Sequence, residues 1–300
     1  MFAHILFPTD FSAYSDAVLA CLPDLKTAGL REVALLSVIR RSDVPMPETV
    51  NRESLEYWRW SLGEKLNVAK MALEGKGLRV LSRIEYGNPA EQIVRVAEEE
   101  RVETIVMGAQ GATAAQELLI GSTAYEVIRR ATVPVLLEKF EVIRELGHVR
   151  CRQVCEDIFH RVLHPTDFSE YADAAFQFVK RLKTAGTEEV VVLHVQDERV
   201  MKQRSPEQLS EFDRHDTERL EDLCKALRLF GLQARPILRH GIPFRETLNL
   251  ADEIDASLIV LGTHGRSAVR EMLAGSTFEN VVRLSRQPVL VVRREMSLSV

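Results

Sequence analysis

No apolar run in this 300-residue chain approaches the ~20 residues needed to cross a bilayer, so a membrane span is not expected. The start, Met1-Phe2-Ala3-His4-Ile5-Leu6-Phe7-Pro8, lacks a basic region followed by a long apolar stretch and a small-residue cleavage site. It therefore reads as having no secretory signal, and a cytoplasmic protein is the expectation. Cysteine is scarce: Cys21, Cys151, Cys155 and Cys224 are too few and too scattered for a disulfide framework, which leaves reduced thiols. Cys151 and Cys155 stand four apart with His148 and His160 nearby, a spacing that puts two metal ligands on one face if the stretch is helical. The plainer alternative is that they are small buried hydrophobes. Basic excess is also missing, since 39 Lys and Arg stand against 44 Asp and Glu for a net charge of -5. No broad basic face is on offer to DNA or RNA, although one small anionic ligand remains compatible.

What the chain does contain is a globular composition, 46% hydrophobic and 28% charged, at a length suited to two domains of about 150 residues each. An internal repeat makes that division explicit. Phe7-Pro8-Thr9-Asp10-Phe11-Ser12 returns as His164-Pro165-Thr166-Asp167-Phe168-Ser169, an offset of 167 - 10 = 157, and Tyr14 and Asp16 return as Tyr171 and Asp173. Downstream the offset is 262 - 108 = 154, so copy two has a net loss of three residues in its middle. Gly87-Asn88-Pro89 matches Gly241-Ile242-Pro243, and Val133-Pro134-Val135-Leu136 matches Gln287-Pro288-Val289-Leu290. The expected division is domain one at 1–145, a linker at 146–157 and domain two at 158–300.

Each copy alternates short β-branched runs with longer segments of helical spacing, the pattern of an α/β fold with a parallel sheet and crossover helices. Strands are expected at His4–Phe7, Glu32–Val38, Arg79–Glu85, Thr104–Met107 and Val133–Leu137, then at Arg161–His164, Glu189–Val195, Gln233–Arg239, Leu258–Leu261 and Val289–Val292. Pro89 and Pro243 suit the first turn of a helix, whose N–H groups lack partners in any case. Arg40–Val50 and Asp197–Pro206 read as long loops, and Arg52–Glu74 and Glu207–Phe230 as the longest helices. The charged stretch Glu138–Ile158 is expected to be partly helical.

Ligands of open parallel sheets bind beyond the carboxyl ends of the strands, where strand order reverses. Three features of each copy fall there. Thr9-Asp10 and Thr166-Asp167 directly follow strand one. The aspartates are placed to accept from ribose hydroxyls or to help hold a divalent ion on a phosphate, or else merely to cap the next helix. Val38 and Val195 end strand two, where main-chain groups can read the edge of a base. The third feature is Gly108-Ala109-Gln110-Gly111, nine residues, then Gly121-Ser122-Thr123, repeated as Gly262-Thr263-His264-Gly265, nine residues, then Gly275-Ser276-Thr277. Glycine lets backbone N–H groups approach an anion, and the Gly-Ser-Thr step opens a helix whose N-terminus favours negative charge. Phosphate is the expected occupant. Copy two adds Arg266 and Arg270 where copy one has Ala112 and Gln116, so its loop is the better candidate for a triphosphate; a solvated loop face is the alternative. Neither copy has a Gly-x4-Gly-Lys-Ser/Thr loop, so strong phosphotransfer catalysis is not expected.

The Pro-Thr-Asp-Phe-Ser start, the Gly-x-Pro turn and the Gly-x-x-Gly-x9-Gly-Ser loop resemble the universal stress protein family, here as a tandem pair over nearly the whole chain. The resemblance implies two doubly wound domains, each a five-stranded parallel sheet of order 3-2-1-4-5. In the nucleotide-binding branch it implies ATP or AMP at these loops, and Mg or Mn with the phosphates is a further candidate. By position, Asp10 and Asp167 with the flanking Pro8, Thr9, Pro165 and Thr166 face ribose or phosphates, Val38 and Val195 face adenine, and the glycines with Ser122 and Ser276 face phosphate. It also implies pairing through the last strands within one chain, and room for a homodimer of chains. A nucleotide-responsive stress or signalling protein is the leading expectation. The alternatives are a slow Mg- or Mn-dependent ATPase or phosphotransfer protein, and a scaffold without nucleotide.

Overall fold

The structure, a computed structural model, describes residues 1–40, 52–109, 120–145, 148–153, 157–202, 204–263 and 277–293. It separates into two compact units, Met1–Gln153 and Val154–Val300. No helix among the described residues is long and apolar enough to cross a membrane.

The first unit runs β1 (His4–Pro8), α1 (Ala13–Cys21), β2 (Glu32–Arg40), α2 (Arg52–Glu74), β3 (Arg79–Gly87), α3 (Pro89–Glu99), β4 (Thr104–Gly108), α4 (Ser122–Arg130) and β5 (Val135–Glu138). These strands are parallel and lie in the order β3-β2-β1-β4-β5. Ile5, Leu6 and Phe7 of the central strand are wholly buried. A parallel sheet covered by helices on both faces demands that kind of continuous apolar run.

The stretch after β5 departs from the expectation of partial helix. β6 (Phe140–Glu145) and β7 (His148–Gln153) form an antiparallel hairpin with Val142 opposite Cys151. Charge density favoured the helical reading, whereas Val142, Ile143 and Val149 are β-branched and the two strands are only two residues apart, which is hairpin spacing. Cys151 therefore sits on a strand and cannot share a helical face with Cys155, which lies outside the described residues. His160 Nδ1 faces Glu188 Oε2 at 3.8 Å instead. Among the described residues no three potential metal ligands converge.

The second unit repeats the plan with β8 (Arg161–Pro165), α5 (Glu170–Arg181), β9 (Glu189–Asp197), α6 (Glu198–Met201), α7 (Pro206–Leu229), β10 (Gln233–Gly241), α8 (Pro243–Glu253), β11 (Leu258–Gly262), α9 (Thr277–Leu284) and β12 (Val289–Val292). Strand order is β10-β9-β8-β11-β12, again parallel. The segment read as a loop after Glu189–Val195 contains the short helix α6. Asp197 starts it by accepting from Arg199 N–H at 2.9 Å, the role for which Asp is favoured at a helix start. Pro89 and Pro243 occupy first-turn positions as expected. The glycines before them, Gly87 and Gly241, have φ of 140° and 151°, conformations that side chains rarely adopt.

Candidate nucleotide site

In both units strand order reverses beside the central strand, at β1/β4 and β8/β11, which opens a crevice at the carboxyl ends. The repeated Thr-Asp-Phe-Ser turns build its floor in the same way twice. Thr9 N–H donates to Leu36 O at 2.8 Å and Thr166 N–H to Leu193 O at 2.8 Å, extending the sheet by one residue. The threonine hydroxyls accept from Phe11 N–H at 3.0 Å and Phe168 N–H at 2.9 Å, and Asp10 and Asp167 Oδ1 accept from Ser12 and Ser169 N–H at 3.0 Å each. These paired bonds hold Phe11 and Phe168 at φ of 54° and 60°, a left-handed conformation uncommon outside glycine.

The helix caps themselves are Ser12 and Ser169, which accept from Ser15 and Ala172 N–H. Capping is thus not what Asp10 and Asp167 do. They lock the turn that precedes the cap, and Asp10 Oδ1 also accepts from Ser15 Oγ at 3.0 Å. Burial, with the charge of Asp10 beside it, pushes the Asp16 carboxyl above its ordinary range.

In the second unit Pro165, Thr166, Asp167, Val195, Gly262 and Thr277 all line one cleft of about 720 Å³. That volume falls within the span of small-ligand sites, roughly 300–1,000 Å³. Main-chain geometry turns the backbone of Val195 toward this cleft. The β8–β9 ladder ends with Thr166 N–H on Leu193 O, and alternation makes Val195 the next residue of β9 whose N–H and C=O turn the same way. β8 has ended by then, so those groups face the cleft.

In the first unit Pro8, Thr9 and Asp10 lie at the end of β1, Val38 lies in β2 opposite Glu85, and Gly108 ends β4. Gly121 caps α4 without a side-chain bond, and its N–H donates to Ala109 O at 2.7 Å, tying the helix start back to the strand end. That N–H is therefore spent on closing the loop. Ser122 and Thr123 follow in the first turn, where N–H groups have no intrahelical partner.

Gly262 has a packing reason of its own. A Cβ there would lie 2.4 Å from Tyr171 O and 2.7 Å from Tyr171 C, in the first turn of α5. Gly111, Gly265, Arg266, Gly275 and Ser276 lie outside the described residues, as do Gln110, Ala112, Gln116, His264 and Arg270.

Several groups in or beside the strand-end crevices were not singled out from sequence. The Phe168 ring packs on the His194 ring at 4.5 Å and lies beneath the Arg219 guanidinium, whose Cζ is 3.9 Å from the ring centre. Lys65 Nζ takes the corresponding place over Phe11, at 5.5 Å. Gln196 and Asp216 complete the β9 side. In the sequence the signal for them is a difference between the copies at paired positions, such as His194 against Ser37.

The Universal stress protein family profile matches residues 1–139 and again 158–293. A universal stress protein of Methanocaldococcus jannaschii is 35% identical over 159 residues, covering 47% of this chain and 98% of that one. A Mycobacterium tuberculosis universal stress protein is 28% identical over 309 residues, covering 97% of each chain. The crystal structure of a universal stress protein from Archaeoglobus fulgidus superposes with a TM-score of 0.74 at 26% identity, covering 98% of this chain and 99% of that one. With the repeated fold, the repeated turn and two family matches in one polypeptide, the chain belongs to the universal stress protein family.

Proposed function

We propose that this protein binds an adenine nucleotide, ATP or AMP, and works as a nucleotide-responsive stress or signalling protein without strong catalysis. The observation that carries the reading is the second-unit cleft, where the strand-one aspartate, the strand-two valine, the strand-four glycine and the start of α9 line a single space. Each supplies what one part of the ligand needs. Asp167 offers a carboxylate to ribose hydroxyls, Val195 offers an N–H and C=O pair to a base edge, and the first turn of α9 beginning at Thr277 offers main-chain donors and a positive helix end to phosphate. A divalent ion, Mg or Mn, belongs to this reading only as a companion of the phosphates.

Titration calorimetry of the full chain with ATP and AMP tests it. Micromolar or tighter binding is expected, with adenylate detectable by mass spectrometry after denaturing the purified protein. Asp167→Ala is expected to weaken ATP binding tenfold or more, the range for loss of a charge-assisted hydrogen bond worth about 1.5–3 kcal/mol. Absence of adenylate at saturating concentration would overturn the reading. Turnover is expected to stay below about 1 per second, beneath ordinary enzyme rates; phosphate release faster than that would replace a binder with an enzyme.

A further inference from the structure

The two ends of the second-unit cleft differ chemically. Gly262 and Thr277 stand at the β11 end, while Val200, Met201 and Phe212 give the β9 end an apolar lining interrupted by Gln196 and Asp216. Gln196 is 4% exposed, and its Nε2 donates to Asp216 Oδ2 at 2.9 Å. That bond orients the amide and leaves Gln196 Oε1 buried with no partner among the described residues. His194 Nδ1 lies 2.7 Å from Thr166 O, so Nδ1 carries the proton, and its Nε2 stands 3.5 Å from the same Asp216 oxygen. His215 Nδ1 approaches the other oxygen, Oδ1, at 3.5 Å from an exposed position. Two arginines also line this cleft, Arg199 paired with Asp197 at 2.5 Å and Arg204 over the Phe212 ring at 5.7 Å. The Asp216 side chain keeps 14% exposure, enough to present an edge.

The residues of this polar wall are not repeated at the paired positions of the first unit. The offset of 157 along strand two pairs Gln196 with Ile39 and His194 with Ser37. The offset of 154 that holds from the long helix onward pairs Asp216 with Leu62.

We infer that the β9 end of this cleft selects a purine bearing a 6-amino group over one bearing a 6-oxo group, with Asp216 as the specificity-determining residue and Gln196 as the residue that positions it. The inference rests on the nucleotide reading above and adds a selection rule to it. An ionised carboxylate only accepts hydrogen bonds. A 6-amino group donates to it, whereas a 6-oxo group sets acceptor against acceptor. Sites built around a buried hydrogen bond reject analogues that cannot make it far more strongly than apolar pockets reject a change of size. The first unit, with Leu62 and Ile39 in these places, lacks that device.

Calorimetric titration of the full chain with ATP and with inosine triphosphate, which differ at this group, tests the inference. ATP is expected to bind more tightly by tenfold or more. Asp216→Leu, the first-unit residue, is expected to weaken ATP and bring the ratio within about threefold; the shape-preserving Asp216→Asn is expected to narrow it as well, because its amide can turn either a donor or an acceptor to the base. Thermal melts of both variants establish that they are folded, and Asp216→Asn carries the comparison if Asp216→Leu is not. Equal binding of the two nucleotides by the unsubstituted chain, or an unchanged ratio in the folded variants, overturns the inference while leaving the nucleotide reading standing. Failure of the unsubstituted chain to bind either nucleotide overturns both.

Discussion

Gly262→Ala is expected to destabilise the second unit by about 3 kcal/mol or more, at the upper end of the range for overpacking a well-filled interior. The new Cβ would stand 2.4 Å from the main-chain oxygen of Tyr171, well inside van der Waals contact, and no side-chain rotation relieves a clash with backbone. The first turn of α5 has to move away, and that turn follows directly on Asp167, Phe168 and Ser169. Stability and nucleotide affinity should therefore fall together, the first read by urea unfolding followed with circular dichroism and the second by calorimetry. Gly63→Ala supplies a control of opposite sign. Gly63 lies inside α2, its added Cβ would meet nothing nearer than Ile84 Cδ1 at 4.0 Å, and a gain of about 0.5–1 kcal/mol is expected from helix propensity. A neutral Gly262→Ala would mean that α5 does not press on β11 as the structure has it.

The second large effect is acid sensitivity at His164. This residue of β8 is wholly buried, its Nδ1 lies 2.9 Å from Val260 O, and its Nε2 is buried without a partner among the described residues. Burial holds the ring down to about 4, against 6.5 for a free histidine, despite the opposing pull of the Val260 carbonyl and the charge of Asp167. Because the folded value is the lower one, the native state prefers the neutral ring. Above pH 6.5 the ring is neutral in both states and nothing is lost; from pH 6.5 down to 4 the unfolded chain takes up a proton that the folded one refuses. A difference of 6.5 - 4 = 2.5 units corresponds to about 3 kcal/mol once the pH is below both values.

The first unit shows what removes this liability, since Phe7 occupies the same place and is also wholly buried. His164→Phe is expected to lose about 2–3 kcal/mol less than the unsubstituted protein between pH 7.5 and pH 4.5. Urea midpoints at the two pH values measure the difference, and identical pH profiles would remove His164 as its source.

Much of the architecture was legible in the residues because the same pattern occurs twice. Alternating β-branched runs and helical spacings placed all ten parallel strands, most of them to within one or two residues, and the proline after each Gly-x step marked a helix start. Charge misled between 138 and 158, where helix-compatible Glu and Arg outnumber the β-branched residues that pair in the hairpin. The Asp10 and Asp167 turns were visible as a motif, but their division of labour with Ser12 and Ser169 was not. Either residue type can cap a helix, and only the folded main chain shows which oxygen meets which N–H.

By itself the sequence determined the repeat, the parallel α/β plan and the strand ends at which a ligand would sit, because these follow from periodicity and from residues with restricted backbones. Tertiary structure alone decided that Gly262 answers to Tyr171, that His164 is sealed from water, and that Gln196 and Asp216 meet at one end of the cleft. Each of those facts joins residues from different elements. A contact across some 20 to 90 positions of chain leaves no trace in local spacing, and it comes into being only when the helices close over the sheet.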